Sequence, residues 1–477
     1  MAKLSLARIA RAVGGELVLG ARPPRGGAEH EVEGYSIDSR TLQEGDLFFA
    51  LVGPRVDGHD FVKDAAARGM AAAVVARGGA ARYPEAPAVL RVKDTTVALQ
   101  DLGAHVRRSR PLKVVGITGS AGKTTAKDLA AAVVAERFRV HKSEGNLNNA
   151  YGLPLSLLRV PDDREVAVLE MGMSHAGEIA RLVEIADPDV GVILCVLRVH
   201  LENFGSLEKI AAAKGELFRG MRRDAVAAFN ADDPWSAKLG RAFPGPKIPF
   251  GVHSRKAEVG ADDVTLEGLA GSRFVLRIAR ERETVQLHLP GRHNVHNALA
   301  AAAVGRALGV DPWAIRRGLE SVRPAAMRGV LHRLPQGVEL LDDSYNSNPA
   351  AMEKAIDLLR EARPRGRRVL IAGDMLELGP AEGRAHARLG ERVAAAGLDL
   401  FLAVGPRSLR AVEAARKAGL KSVAHFPDSE SAAASAASLG RPGDLILVKG
   451  SRGMRMELVV QAILKAAGAA AGTGGAH

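Results

Sequence analysis

The 477-residue chain is expected to fold as an α/β protein of three domains, the middle one built on a P-loop-type parallel sheet. Three observations lead there. The stretch Gly116-Ile117-Thr118-Gly119-Ser120-Ala121-Gly122-Lys123-Thr124-Thr125 follows the run Lys113-Val114-Val115 and precedes a helix-like run, Lys127 to Val134. Short apolar strands alternate with helical stretches, the pattern of parallel sheets covered on both faces. The length allows about three domains of ~150 residues, each with its own core.

Along the chain, Met1 to Leu19 reads as an amphipathic helix with Lys3, Arg8 and Arg11 spread through it. It lacks a compact apolar core and a cleavage site, so it is no secretory signal. Ser36 to Arg40 leads to a strand, Asp46 to Val52, a turn at Asp57-Gly58-His59, a helix through Ala67 and a strand, Ala71 to Val75. The middle region starts with the strand at Lys113 and continues with Val166 to Glu170, Val190 to Leu197 and Ala225 to Phe229. A third region opens near Arg323-Pro324. Its strands are Val338 to Asp342, Arg367 to Ala372, Leu400 to Val404 and Leu445 to Val448, with one helix from Pro349 and another through Ala394. The expected domains are 1–108, 109–322 and 323–465, and the Ala/Gly-rich stretch 466–477 reads as a frayed tail. Three strands of the last region end in polar turns, where doubly wound sheets bind ligands.

Composition narrows the class. Apolar residues at 47% and charged residues at 25% are ordinary for a globular protein. A formal charge of +12 suits anionic ligands. The arginines are dispersed and lack interleaved aromatics, which argues against a nucleic-acid-binding module. Cys195 is the only cysteine, so no internal disulfide forms and a reducing, cytoplasmic setting is expected. The longest uncharged apolar run, Val190 to Leu197, is strand-sized and too short for an integral membrane segment.

The glycine-rich turn carries the chemistry. Gly119, Ser120, Ala121 and Gly122 are small enough for backbone N–H groups to converge on a polyphosphate, and the helix N-terminus adds positive potential. Lys123 reaches the outer phosphates, and Thr124, followed by Thr125, takes the hydroxyl position that helps hold Mg²⁺. The chain therefore binds a nucleoside triphosphate. In the common G-x-x-x-x-G-K-[ST] form a glycine stands six residues before the lysine; here that residue is Ile117. The T-G-S-x-G-K-T-T variant resembles the ATP loop of the Mur ligase family and its relative folylpolyglutamate synthase, enzymes that join an amino group to a carboxylate at the expense of ATP.

Further motifs extend the resemblance over nearly the whole chain. Asp38-Ser39-Arg40, Gly45 to Leu51 and Asp57-Gly58-His59-Asp60-Phe61 resemble the family's UDP-sugar-binding domain, which makes Ser39, Arg40, Gly58 and His59 candidate substrate residues. Gly145-Asn146-Leu147-Asn148-Asn149 with Gly152-Leu153-Pro154 resembles the branch that adds a final dipeptide, with Asn146 and Asn148 facing the phosphates or substrate. The resemblance implies Mg²⁺ at Thr124 and Glu170, and a second metal at His200 and at Lys214, which in several family members carries a carbamate. It implies adenine contact by Asn297, within Gly291-Arg292-His293-Asn294-Val295-His296-Asn297, although Asn294 also reads as a plain N-cap. Arg328 and Asp343 match a hinge arginine and an aspartate that close over ATP. Asp343-Ser344-Tyr345-Asn346-Ser347-Asn348-Pro349 and Gly373 to Gly379 are similar to the dipeptide-adding branch, so Ser344, Tyr345, Asn346 and Asn348 are expected at the acceptor.

The family resemblance thus implies a UDP-substrate domain, a P-loop ATPase domain and a Rossmann-like C-terminal domain. The implied substrates are UDP-N-acetylmuramoyl-tripeptide and D-alanyl-D-alanine, with ATP and Mg²⁺. A monomer is expected, although the sequence leaves oligomeric state open. A sister ligase adding one amino acid, or a folylpolyglutamate-type ligase, is the alternative. A P-loop motor ATPase is disfavoured by the Asn297 and Asp343 motifs. One segment departs from the family: Cys195 stands where an asparagine is usual and Leu197 where a glycine is usual. A glycine there suggests close backbone approach or positive φ, which leucine tolerates poorly.

Overall fold

The computed structural model describes residues 2–53, 56–76, 82–198, 201–436 and 438–473. They form three sheets in an α/β architecture of three domains. The first sheet has five strands in the order Glu16–Leu19, Ala88–Val92, Ala72–Ala76, Asp46–Phe49, Gly34–Ser36, antiparallel only at its first pair. The third has six, ordered Val330–Arg333, Glu339–Asp343, Leu445–Lys449, Arg368–Gly373, Leu400–Val404, Val423–Phe426, again antiparallel only at the first pair.

The nine-stranded middle sheet positions the site. Its parallel part runs Val140–Lys142, Val166–Glu170, Lys113–Thr118, Val190–Ile193, Val226–Asn230, Lys247–Gly251, Val259–Leu266. Every residue of Val166–Glu170 is buried, as a strand covered on both faces requires. Val115, Ile117 and Val168 point to one apolar layer with the helices Lys123–Ala135 and Arg292–Ala307, whereas Val114, Ala167 and Leu169 point to the other. That alternation is the period-two geometry of a strand. The chain has few aromatics, and its helices make up for this by approaching closely. A methyl group on Gly305 would lie 2.6 Å from Val133 Cγ1, and one on Gly318 2.5 Å from Val133 Cα.

The first domain docks through the helix Thr95–Arg108, which packs on Gly152–Leu158 and Glu178–Ala186. The buried Arg107 guanidinium donates to the Ala186 and Asp187 carbonyls at 2.8 Å and pairs with Asp189 at 3.1 Å. Arg181 reaches back to Gln100 at 2.8 Å and Asp101 at 3.0 Å.

Several sequence expectations need revision. The N-terminal helix covers only Leu6–Val13, because Gly14 adopts φ 60° and ends it, and Glu16–Leu19 is a strand. The parallel sheet is extended by two antiparallel strands, Ser272–Ile278 and Glu281–Leu287. Val190 to Leu197 is a strand only to Ile193; beyond it the backbone follows the glycine-rich turn instead of a neighbouring strand. The stretch from Ala466 is helical up to Thr473, as alanine's propensity favours. Among the described residues no helix is long and apolar enough to cross a membrane.

Candidate active site

The strand Lys113–Thr118 delivers the chain into Gly119–Gly122 and then the helix Lys123–Ala135. Gly122, at φ 83°, reverses the backbone, and a side chain there would collide with the Asn297 amide. Asn297 is therefore packed directly against the loop. Its Nδ2 donates to Asn294 Oδ1 at 2.9 Å, and Asn294 Nδ2 donates to the Pro290 carbonyl at 2.9 Å. Gly291, not Asn294, is the N-cap, so the plain capping role expected of Asn294 does not hold. Asn294 instead orients Asn297.

The loop is braced from the side by the departing segment. Ser120 N donates to the Cys195 carbonyl at 2.9 Å, Ser120 Oγ accepts from Leu197 N at 2.9 Å, and Cys195 Sγ lies 3.8 Å from the Ala121 carbonyl. Leu197 is absent from the residues with positive φ, so the strain expected of leucine at this place does not arise.

Lys123 Nζ folds onto the Gly119 carbonyl at 3.1 Å, inside the cradle. Thr124 Oγ1 donates to Glu170 Oε2 at 2.8 Å, and Asn148 Nδ2 donates to Glu170 Oε1 at 2.8 Å. Thr125 follows in the first helical turn. Glu170 is 4% exposed, a burial a carboxylate tolerates only when paired or hydrogen-bonded. Behind it Ser143 Oγ accepts from Glu170 N at 3.2 Å, and the buried Lys127 donates to the Ser143 carbonyl at 2.7 Å. Burial lowers the Lys127 pKa, with nearby Asp128 and Glu170 opposing the shift. Sequence reading missed Ser143 and Lys127, whose types carry no signal of their own. Asn146 is exposed at the rim.

Two hard oxygen donors beside a triphosphate cradle fit Mg²⁺, which is ordinarily held by one or two carboxylates and substrate phosphates. Among the described residues, no three or more His, Cys, Asp or Glu side chains form a closed cation cage. His200 lies outside the described residues. Lys214 is 3% exposed on the helix Leu207–Gly220, and its amine is pushed down to about 7 by burial first and then by the charge of Lys123.

The third domain faces this site. Arg328 Cζ stacks 3.9 Å from the centre of the Tyr345 ring. Lys449 Nζ pairs with Asp343 at 2.6 Å and donates to the Asn346 carbonyl at 3.1 Å. His293 faces Lys354 and Lys449 across the boundary, its imidazole pushed down to about 3 by burial first and by those ammonium groups second. The turn after Gly373 leans on the middle domain: a Cβ on Gly379 would lie 2.8 Å from Glu202 Cβ. Asp374 anchors that turn, accepting from Ser408 N at 2.7 Å and Ser408 Oγ at 2.6 Å.

Some expected contact residues are engaged internally. Ser344 Oγ donates to Asp342 at 2.6 Å, Asn346 Oδ1 accepts from Ser347 N at 2.8 Å, and Asn348 Oδ1 caps the helix Pro349–Glu361 through Ala351 N at 2.9 Å. In the first domain Ser39 is buried and the exposed Arg40 clamps Asp38 at 2.7 Å and 2.9 Å. His59 Nε2 accepts from Ala76 N at 2.9 Å, which leaves Nδ1 to donate to Asp57 at 2.6 Å. Gly58 lies so close to Leu51 that an added Cβ would be 2.6 Å from Leu51 N.

A phosphate cradle, a carboxylate beside its hydroxyl and two flanking α/β domains make this an ATP-dependent ligase. Residues 117–305 match the Mur ligase middle domain, 327–452 the Mur ligase glutamate ligase domain and 31–108 the Mur ligase family catalytic domain. The chain belongs to the Mur ligase family. Within it, the chain is 37% identical to UDP-N-acetylmuramoyl-tripeptide–D-alanyl-D-alanine ligase of Escherichia coli, over 92% of this chain and 95% of that protein. The Bacillus subtilis protein of the same name is 36% identical, over 91% and 93% of the two chains. Among solved structures, the UDP-N-acetylmuramoylalanyl-D-glutamyl-2,6-diaminopimelate–D-alanyl-D-alanyl ligase of Acinetobacter baumannii superposes with TM-score 0.84 at 30% identity, over 98% and 99% of the chains. The MurF ligase of Thermotoga maritima, solved in complex with ADP, gives 0.77 at 31% identity, over 91% and 97%.

Proposed function

We propose that this chain joins D-alanyl-D-alanine to the stem carboxylate of UDP-N-acetylmuramoyl-tripeptide in peptidoglycan precursor synthesis. It acts as a cytoplasmic monomer and consumes ATP. The carrying observation is the Thr124–Glu170–Asn148 chain beside Lys123 at the phosphate turn. In this reading the stem carboxylate attacks the γ-phosphate of ATP, breaks its bond to the β-phosphate so that ADP leaves, and forms an acyl phosphate. The dipeptide amine then displaces phosphate and leaves an amide. Positioning and charge neutralisation dominate such a transfer. Lys123 leaves the Gly119 carbonyl for the outer phosphates, and Asn148 holds Glu170 in its orientation. Mg²⁺, when bound at Thr124 and Glu170, neutralises charge on the transferring group. Asn297 contacts the adenine, and Arg328 and Asp343 close on the nucleotide. Lys214, if carbamylated, and His200 would hold a second metal, which would neutralise charge on the stem carboxylate.

The reading is tested by phosphate release with UDP-muramoyl tripeptide and one amine at a time. D-alanyl-D-alanine should support turnover, and diaminopimelate or D-glutamate should not. Turnover as fast with a single amino acid would reassign the chain to a sister ligase.

A further inference from the structure

We propose that Lys127 is a positioning residue for the Glu170 carboxylate: its amine draws the Ser143 carbonyl out of the middle sheet and so folds residues 144–149 back until Asn148 reaches Glu170. This deepens the Mg²⁺ part of the ligase reading and rests on it. The strands Val140–Lys142 and Val166–Glu170 pair in parallel, with Val140 opposite Val166 and Lys142 opposite Val168. Val166 N donates to the Arg139 carbonyl at 3.3 Å, and Ser143 N donates to the Val168 carbonyl at 3.1 Å. Such a ladder repeats every two residues, so Glu170 N is due to meet the Ser143 carbonyl. It donates instead to Ser143 Oγ at 3.2 Å, and the carbonyl accepts from Lys127 Nζ at 2.7 Å. A side-chain hydroxyl thus stands in for the backbone, and the ladder ends.

The break decides where Asn148 goes. In an unbroken ladder Asn148 would lie opposite Ser174, about 13 Å along the strand from Glu170. In the folded-back segment Gly145 takes φ 51°, Asn148 N donates to the Asn146 carbonyl at 2.7 Å, and Gly172 N donates to the Asn148 carbonyl at 2.7 Å. That leaves Asn148 Nδ2 2.8 Å from Glu170 Oε1, opposite Thr124 on Oε2. Lys127 follows Thr124 by three residues on the helix Lys123–Ala135, so both face this strand end. Its side chain is 3% exposed, and the nearest acid, Asp128 at 3.9 Å, is already paired with Lys142 at 2.7 Å. Burial disfavours its charged form, so stability alone would be served as well by an apolar side chain. What an apolar side chain lacks is a donor for the Ser143 carbonyl.

The test reads metal binding without turnover. Mn²⁺ is titrated by electron paramagnetic resonance into protein carrying a non-hydrolysable ATP analogue, beside the analogue's own affinity without metal. Lys127→Met should weaken Mn²⁺ binding about tenfold, the scale of a contact one shell behind a metal ligand, with metal-free analogue affinity unchanged. Its melting temperature should hold or rise. Ser143→Ala leaves Glu170 N to compete for the Ser143 carbonyl, so it should weaken Mn²⁺ binding with the lysine still in place. Because Lys127 acts through Asn148, the double variant Lys127→Met, Asn148→Ala should lose no more than Asn148→Ala alone. Unchanged Mn²⁺ affinity in Lys127→Met, a lowered melting temperature as its only effect, or losses that multiply in the double variant would overturn the proposal. Should the methionine variant not fold, unchanged Mn²⁺ affinity in Ser143→Ala overturns it alone. No Mn²⁺ binding by the unmutated protein with the analogue would overturn the metal reading and the proposal with it. Turnover with a single amino acid would reassign the ligase and leave the role of Lys127 standing.

Discussion

Lys123 and Lys214 show how far single residues were readable. The spacing of the glycine-rich turn placed Lys123 in the cradle, because a turn of that size leaves the backbone few other paths. Its replacement, Lys123→Ala, should abolish phosphate release while UDP-tripeptide affinity, measured by calorimetry, stays within about twofold, since one side chain in another domain seldom couples further. Lys214 is different: its type was readable through the family motif, its state was not. Burial holds the folded amine at about 7, below its ordinary 10.5. The unmodified lysine therefore favours the folded state fully only above the unfolded value, and that contribution is lost as pH falls from there through about 7. A Lys214→Met variant should gain most in melting temperature over unmodified protein at pH values below about 7, with the gain shrinking as pH rises toward 10.5. A carbamate needs the neutral amine, so the carbonyl signal of ¹³C-labelled carbamate should fade over the same acid limb. A signal insensitive to pH across that limb would remove Lys214 as its carrier.

At the scale of elements, fully buried parallel strands were the legible part, since both faces must be apolar. Val166–Glu170 and Leu400–Val404 appear where their runs of Val, Leu and Ala placed them. The extension Val259–Leu266, Ser272–Ile278 and Glu281–Leu287 was not legible, because its charged residues on the open face break up the apolar pattern. The segment after Ile193 misled for the opposite reason: it is apolar, yet past Thr118, at the end of the neighbouring strand, its hydrogen bonds go to Ser120 in the turn. Asn348 shows the same competition between local and functional use. As the N-cap of Pro349–Glu361 it should cost about 1 kcal/mol when changed to alanine, whereas Asn348→Asp keeps the capping oxygen. If its amide also meets the acceptor, Asn348→Asp should retain the melting temperature and raise KM for D-alanyl-D-alanine. An unchanged KM would leave it as a cap alone.

Across the whole molecule, the order of three α/β units was legible from motif order, while their mutual contacts were not, since Gly379 against Glu202 joins residues far apart in sequence. Arg328 sits in the connection between the second and third units and is stacked on Tyr345, while its charge reaches Lys127. To reach the nucleotide as proposed, it would have to leave that ring as the units close. Small-angle X-ray scattering should therefore show a smaller radius of gyration with an ATP analogue and UDP-tripeptide together than for the free protein. Arg328→Ala should reduce that contraction while UDP-tripeptide still binds. Equal radii with and without ligands would rule closure out.

The brace that carries Cys195 gives the protein a built-in reporter. The chain has one thiol, and it stands half-buried against the Ala121 carbonyl of the phosphate turn. A maleimide dye would thus tag every molecule at one defined place without engineering. Nucleotide should slow that tagging, and the degree of protection at graded ATP would trace an occupancy curve with no turnover required. Tagging rates indifferent to ATP would mean that the thiol is shielded from the ligand by the turn it braces.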